Sequence, residues 1–354
     1  VPALLAQAQP VLSPEVHDDL RVTFRLLAPE AEAVSVFGEF MEGSQPLTKG
    51  ADGVWSVTLG PIPPDVYEYE YTIDGVNFLD PRNPAVKPNR GPAAIASLLT
   101  VRGDEPLFFD VRPVPHGAVE IRTYDSDVTG LSRQIYVYTP PGYDNGTAAL
   151  PVLYLLHGGD GEDRSWTQLG RAHTILDNLI AEGLASPMII VMPSGYAYPW
   201  DYGASGEKQQ ADFLADLQTE LIPFVEANYR VSRDREHRAL AGLSRGGSQT
   251  LNIGLRHLDL FSRLAVFSAG GGSEPQNTFA DVAANAAQVN AQLDLFWIGM
   301  GTEDGGYENA KRLDTFLTQS SIEHTFREIP GAHTWIVWRK FLNEVAPQLW
   351  PEDS

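Results

Sequence analysis

The sequence predicts two segments of different fold class, an all-β sandwich followed by an α/β domain with a mainly parallel sheet. Three observations predict it. From Leu20 to about Val101, short runs of alternating polarity sit between Pro, Gly and Asp turns, the pattern of an antiparallel sandwich. Beyond residue 115, apolar runs of strand length alternate with stretches of helical spacing, the pattern of βα units. A Pro-rich connector separates the two patterns. The resulting boundaries are a flexible N-terminal segment over 1–17, a β module over 18–103, a linker over 104–115 and an α/β domain over 116–354.

In the β module, Arg21–Leu27, Ala33–Phe37, Val54–Leu59 and Val66–Thr72 read as strands. Alternation along the last of these places Tyr67, Tyr69 and Tyr71 on one face, and Asp74-Gly75 supplies a hairpin turn. In the α/β domain, Val152–Leu156, Met188–Met192, Ala239–Ala241, Leu264–Phe267 and Leu295–Ile298 are short apolar runs suited to strands covered on both faces. Between them Phe213, Leu214, Leu217, Leu221, Phe224 and Val225 recur at helical spacing, as do Leu313, Phe316 and Leu317.

Composition narrows the function classes. The chain carries 25 Lys and Arg against 46 Asp and Glu, a net charge of -21, which repels phosphate backbones and anionic lipid surfaces. Neither nucleic acid nor a membrane is an expected partner, and no apolar run approaches the roughly 20 residues that span a bilayer. The absence of cysteine excludes structural disulfides, thiolate zinc sites and cysteine nucleophiles together, leaving oxygen nucleophiles. The first residues, VPALLAQAQP, end as a secretory h-region with a small-residue cleavage signal does. This sets an expectation of a secreted or periplasmic protein, with a tag-derived terminus as the alternative.

Gly242-Leu243-Ser244-Arg245-Gly246 fits G-x-S-x-G between the strand-like RALA and the helical GSQTLNIGL, the context that a nucleophile elbow requires. Small residues at Gly242 and Gly246 let the chain turn sharply while Ser244 is lifted toward solvent. A serine nucleophile needs a base, and the order Ser, acid, His of the α/β-hydrolase fold directs the search toward the C-terminus. His257 lies on the helix leading away from the serine and His324 opens a strand, whereas His333 sits in the turn PGAHT, where a loop base belongs. The acid should follow the strand Leu295–Ile298, and GMGTEDG offers Asp304 as the preferred residue and Glu303 as its rival. Its role is to accept a hydrogen bond from the imidazole and stabilise the imidazolium.

The oxyanion of a tetrahedral intermediate needs two donors. The elbow supplies the Arg245 backbone N-H, and the turn His157-Gly158-Gly159-Asp160-Gly161 supplies the other from Gly158 or Gly159. His157 lies outside the triad order and is expected to order this loop. No P-loop lysine or dinucleotide pattern follows the turn, and no metal or organic cofactor is implied.

Two resemblances add to this reading. FRLLAPEAEAVSVFGEF, GVWSVTL, YEYEYTIDG and FLDPRNP resemble the early-set, immunoglobulin-like modules called carbohydrate-binding family forty-eight, over most of residues 18–101. The likeness implies a sandwich, for which a structural or substrate-shaping role is preferred and an independent sugar site is the alternative. YLLHGG, FVEANYRVSRDREHRALAGLSRGG, FSAGGG, GTEDGG and GAHTWIVW resemble the esterase D-like branch of carbohydrate esterase family one, feruloyl esterases in particular, from about Gln134 to the C-terminus. The likeness implies Ser244 as nucleophile, Asp304 as acid, His333 as base, and Arg245 with a residue of the His157 to Gly159 turn as oxyanion donors. It also implies that Trp338 lies beside a phenolic acyl group, with core packing as the alternative. Trp166 and Trp200 are further candidates for the pocket wall. Many relatives carry methionine where this chain has Arg245, whose charge must then find an acidic partner or solvent. The implied substrate is an ester, feruloylated or acetylated oligosaccharide. Siderophore esterases and acyltransferases share the fold and triad, and a glycan-binding protein with an inactive hydrolase domain is the rival of another class.

Overall fold

The computed structural model of the chain describes residues 11–87, 95–199 and 202–351. The segment read as an export signal, residues 1–10, lies outside them. The chain divides into two compact units at Leu107 and Phe108.

The first unit is a sandwich of two antiparallel sheets. One sheet runs in the order β1 (Glu15–Val16), β2 (Val22–Leu27), β6 (Val54–Leu59) and β5 (Thr48–Lys49). The other runs β4 (Ser44–Pro46), β3 (Val34–Gly38), β7 (Asp65–Ile73) and β8 (Val76–Phe78), with β9 (Ser97–Val101) also paired to β7. Asp74 and Gly75 join β7 to β8 with φ of 48° and 85°, the left-handed pair of a tight hairpin turn. The pleat does what the alternation predicts, because Tyr67, Tyr69 and Tyr71 all point into the core with Phe24 and Trp55. Buried phenols need partners. Tyr69 donates to Asp80 Oδ2 at 2.8 Å, Ser13 donates to the same oxygen at 2.7 Å, and the Tyr71 hydroxyl lies 2.9 Å from Ser13 Oγ. These aromatics therefore serve the core of the module.

The second unit is built on a mixed eight-stranded sheet. In spatial order the strands are β10 (Ala118–Ser126), β11 (Leu131–Thr139), β13 (Ile189–Pro193), β12 (Val152–Leu156), β14 (Arg238–Leu243), β15 (Arg263–Phe267), β16 (Leu295–Gly301) and β17 (Thr325–Ile329). From β13 to β17 neighbours run parallel, while β10 and β11 form an antiparallel hairpin at one edge. β12, β13 and β14 are buried along their whole length, as expected of central strands covered by helices on both faces. The edge hairpin differs from the apolar-run pattern because β10 is largely exposed and carries Glu120, Arg122 and Asp125. Charge on an edge strand discourages pairing with other chains.

Helical spacing around Phe213 is realised as a continuous helical stretch, Gly206–Asp216, Leu217–Leu221 and Ile222–Asn228, whose middle turn is π-helical. Phe213, Leu217, Leu221 and Val225 form its buried stripe. The segment 104–115, expected to be a linker, is in part packed on the second unit. Asn178 Nδ2 donates to the carbonyls of Phe108 and Asp110, the ring of Phe109 is buried beneath the Arg339 guanidinium, and Arg112 pairs with Glu182. The two phenylalanines make a free linker unfavourable, because exposing such rings costs on the order of 1.5–3 kcal/mol each.

Candidate active site

Ser244 occupies the sharp turn between β14 and the helix Arg245–Gln249, with φ 53° and ψ −113°. Such a backbone is strained for a residue with a Cβ, and it persists where the surroundings enforce it. The chain approaches itself too closely for side chains on either flank. A Cβ on Gly242 would lie 2.5 Å from the Gly246 backbone, and one on Gly246 would lie 2.6 Å from the His157 carbonyl. The Ser244 amide is held by the Phe267 carbonyl at the end of β15, at 2.8 Å.

The loops after β14, β16 and β17 bring the three predicted residues together. His333 Nε2 lies 2.9 Å from Ser244 Oγ, and His333 Nδ1 lies 2.7 Å from Asp304 Oδ2. An ionised carboxylate only accepts, so Nδ1 carries the proton and Nε2 presents its lone pair to the serine hydroxyl. Asp304 is enclosed at 6% exposure, and its Oδ1 accepts the Gly306 amide at 2.8 Å. Burial pushes its carboxyl up, but the His333 ring, the Gly306 amide and the Ser268 hydroxyl together hold it below the ordinary carboxylate value. Glu303, the rival acid, is exposed, with its amide bonded to the Gly331 carbonyl.

The turn after β12 lies against the nucleophile. A Cβ on Gly158 would touch the Leu243 side chain at 2.7 Å and sit 3.4 Å from the Ser244 Cβ. Among the described residues the amides of Gly158, Gly159 and Arg245 donate to no other group, so they remain available to an oxyanion. Imidazole chemistry fixes the turn from below. His157 is buried, its Nε2 accepts the Gly195 amide at 3.0 Å, and its protonated Nδ1 lies 2.7 Å from the Gly158 carbonyl. It orders the loop, as its place outside the triad predicts.

Tyr196 was not singled out by sequence, yet it ties the site together. Its hydroxyl donates to the Gly159 carbonyl at 2.8 Å, and the Arg245 guanidinium stacks over its ring at 4.1 Å. Of the acidic partner or solvent expected for Arg245, no ion pair forms among the described residues; the side chain is part-exposed and its charge lies on an aromatic face, worth about 0.5–2 kcal/mol. The loop carrying Tyr196 is held by Arg133, which donates to the carbonyls of Ser194 (3.1 Å), Tyr196 (2.9 Å) and Ala197 and pairs with buried Asp216 at 3.1 Å.

The tryptophans divide. Trp166 is 1% exposed, donates to the Leu156 carbonyl at 3.0 Å and packs edge-on against Phe267 and Trp335. It therefore anchors the end of β12 and is not a pocket wall, a correction to the sequence expectation. Trp338, 7% exposed, meets the His333 ring edge-on at 5.0 Å and donates its indole N-H to Ser268 Oγ at 2.9 Å. Trp200 lies outside the described residues. Ser268 was missed by sequence reasoning. Its only signal is a place in FSAGGG, one residue past the end of β15.

Comparison with known proteins agrees with this architecture. The family model described as putative esterase matches residues 126–349, and that of carbohydrate-binding module 48, the isoamylase N-terminal domain, matches residues 12–88. An endo-1,4-beta-xylanase/feruloyl esterase of Xylanibacter ruminicola is 30% identical over 343 residues, which are 95% of this chain and 46% of that relative. The chain thus spans less than half of that relative's length. A ferulic acid esterase of Anaeromyces mucronatus, solved with ferulic acid, is 26% identical with a TM-score of 0.58, over 68% of this chain and 95% of that one. The enterobactin esterase of Shigella flexneri, solved in the presence of enterobactin, shares the fold with a TM-score of 0.70 at 19% identity, over 93% of this chain and 92% of its own. The chain belongs to the putative esterase family, its α/β esterase domain preceded by a module 48 sandwich.

Proposed function

We propose that the chain is a serine carboxylic ester hydrolase that releases ferulate or a related hydroxycinnamate from plant cell-wall polysaccharide. The observation that carries the esterase reading is the hydrogen-bonded line from Asp304 through His333 to Ser244, at 2.7 and 2.9 Å. In acylation, Ser244 Oγ attacks the ester carbonyl as its proton passes to His333 Nε2, and the Asp304 carboxylate stabilises the imidazolium. The oxyanion is received by the Arg245 amide and that of Gly158 or Gly159. His333 then returns the proton to the departing alcohol oxygen. In deacylation a water gives its proton to His333, adds to the acyl carbon and displaces Ser244, which recovers the proton.

The hydroxycinnamate preference is supported by two relatives, the xylanase/feruloyl esterase and the ferulic acid esterase. Acetyl esters are the alternative within the same chemistry, since an acetyl esterase of Caldicellulosiruptor saccharolyticus is also similar, at 22% identity. Hydrolysis of methyl ferulate against p-nitrophenyl acetate by the wild type and by Ser244→Ala tests both points. Ferulate release that disappears in the variant is the expected result. Acetate turnover alone would move the substrate to acetylated glycans, and no Ser244-dependent turnover of either would overturn the esterase assignment.

A further inference from the structure

We propose that Ser268 and Trp338 form a positioning pair that fixes the His333 imidazole of the Asp304–His333 acid–base couple, an inference that rests on the esterase reading of the site. Trp338 links Ser268 to the couple. Its ring meets the His333 imidazole edge-on with 5.0 Å between centroids, and its indole N-H donates to Ser268 Oγ at 2.9 Å. An indole nitrogen only donates and a serine hydroxyl holds one hydrogen. The indole is thus tied at one end to the Ser268 side chain and lies at the other against the imidazole.

The surroundings constrain Ser268 to this role. It is buried, its φ is 52°, and its amide donates to the Gly299 carbonyl at 2.8 Å. A residue with a Cβ in the left-handed region is disfavoured, so the backbone is held there by its neighbours. The Ser268 hydroxyl also helps to hold the Asp304 carboxyl below its ordinary value. The result is a chain of contacts in which Ser268 Oγ holds the Trp338 N-H and the Trp338 ring meets the His333 imidazole. The hydrogen bond fixes the indole, and the imidazole, held at Nδ1 by Asp304, receives a second constraint from that ring. Asp304 is itself fixed through Oδ1 by Gly306, and its Oδ2 is left to His333.

The test uses the full chain with Ser268→Ala, Trp338→Phe and the double variant, and Trp166→Phe as a control for lost aromatic packing. Trp338→Phe keeps an aromatic ring at this position and removes the donor with some volume, and Trp166→Phe controls for the volume. Two readouts are taken: kcat and KM on methyl ferulate, and the downfield Nδ1 proton resonance of His333 in substrate-free protein. Each single variant should lower kcat by about 2–13-fold, the range of one hydrogen bond between neutral groups, with KM changed less than about 2-fold. The double variant should fall within about 2-fold of Ser268→Ala, because both changes break one line. The Nδ1 proton signal should broaden or shift in both single variants and stay in place in Trp166→Phe. Multiplicative losses in the double variant, or a Trp338→Phe effect confined to KM, would make Trp338 a substrate contact and overturn the pairing. So would an unmoved Nδ1 signal in Ser268→Ala. If wild type shows no Ser244-dependent turnover, the esterase reading fails, and the resonance still decides the positioning. If Ser268→Ala does not fold, the resonance and kcat of Trp338→Phe carry the decision.

Discussion

Replacing Asp304 by asparagine should remove nearly all esterase turnover, for a reason visible in the hydrogen bonds around it. The carboxylate presents Oδ1 to the Gly306 amide at 2.8 Å and Oδ2 to His333 Nδ1 at 2.7 Å. An asparagine must put its oxygen on one side and its NH2 on the other. The Gly306 N-H is fixed by the backbone and can only donate, so the oxygen stays at the Oδ1 position. The NH2 then faces His333 and can be accommodated only if Nδ1 gives up its proton to Nε2. In that tautomer Nε2 meets Ser244 Oγ as a donor, and the serine loses its base. An inverted tautomer of this kind costs about 10⁴-fold in kcat, about 5.5 kcal/mol of transition-state stabilisation. The assay is kcat and KM on methyl ferulate with a thermal melt alongside. KM should change little, since nothing that touches bound ester has moved. Glu303→Gln should stay within about 3-fold of wild type, because that side chain is exposed. If Asp304→Asn retained a tenth of wild-type kcat, or Glu303→Gln lost what Asp304→Asn kept, the acid would be misassigned.

Other outcomes follow from the same structure. Arg133→Met should cost about 3–5 kcal/mol in urea unfolding, because it strands the buried Asp216 carboxylate and removes the donor to the Ser194, Tyr196 and Ala197 carbonyls. Adding Asp216→Leu should recover part of the loss. Trp166→Phe should lower stability by about 1–3 kcal/mol through the lost bond to Leu156 and the lost volume, and leave KM for methyl ferulate within about 2-fold. A large KM change would restore Trp166 to the pocket wall. Burial pushes the Asp163 carboxyl up from 3.8 to about 6, so its ionisation works against the folded state as pH rises from about 4 through 6. Asp163→Asn should therefore stabilise the fold at about pH 7.5 by an amount on the order of 1–2 kcal/mol after solvent screening, read as a higher Tm, and should not raise the Tm near pH 4. A gain that persists in acid would locate the effect elsewhere.

How much of this was legible in the sequence depends on where the partner of each residue lies along the chain. The strands β12 to β16 were readable because burial on both faces leaves a continuous apolar run. The hairpin β10–β11 was not, since β10 at the sheet edge is exposed and mixes charge with apolar residues. The triad residues could be found because each follows a recognisable strand, in an order the fold dictates. The indole of Trp166 showed the limit of such reasoning. Proximity to the oxyanion turn suggested a pocket wall, but the side chain turns inward to the Leu156 carbonyl. Which way a tryptophan turns is settled by packing, and packing against Phe267 and Trp335 involves residues some hundred or more positions away in sequence.

Distance along the chain also made the groups that steady the site harder to see than those expected to react. Ser268 meets its donor 70 residues away, Arg133 reaches carbonyls 61 to 64 residues away, and Tyr196 closes on Gly159 across 37. Each side chain is ordinary in its local context and acquires a role only from the position of a remote backbone. Two of the three act on a loop through its carbonyl oxygens. Those oxygens are present at every residue and leave no mark in the sequence. A serine nucleophile needs a particular side chain at a particular turn, whereas a loop can be fixed by any donor that reaches it. The chemistry of the site is therefore written in residue types. Its rigidity is written in distances, and a change at Arg133, Ser268 or Tyr196 should alter activity with all three residues of the triad left in place.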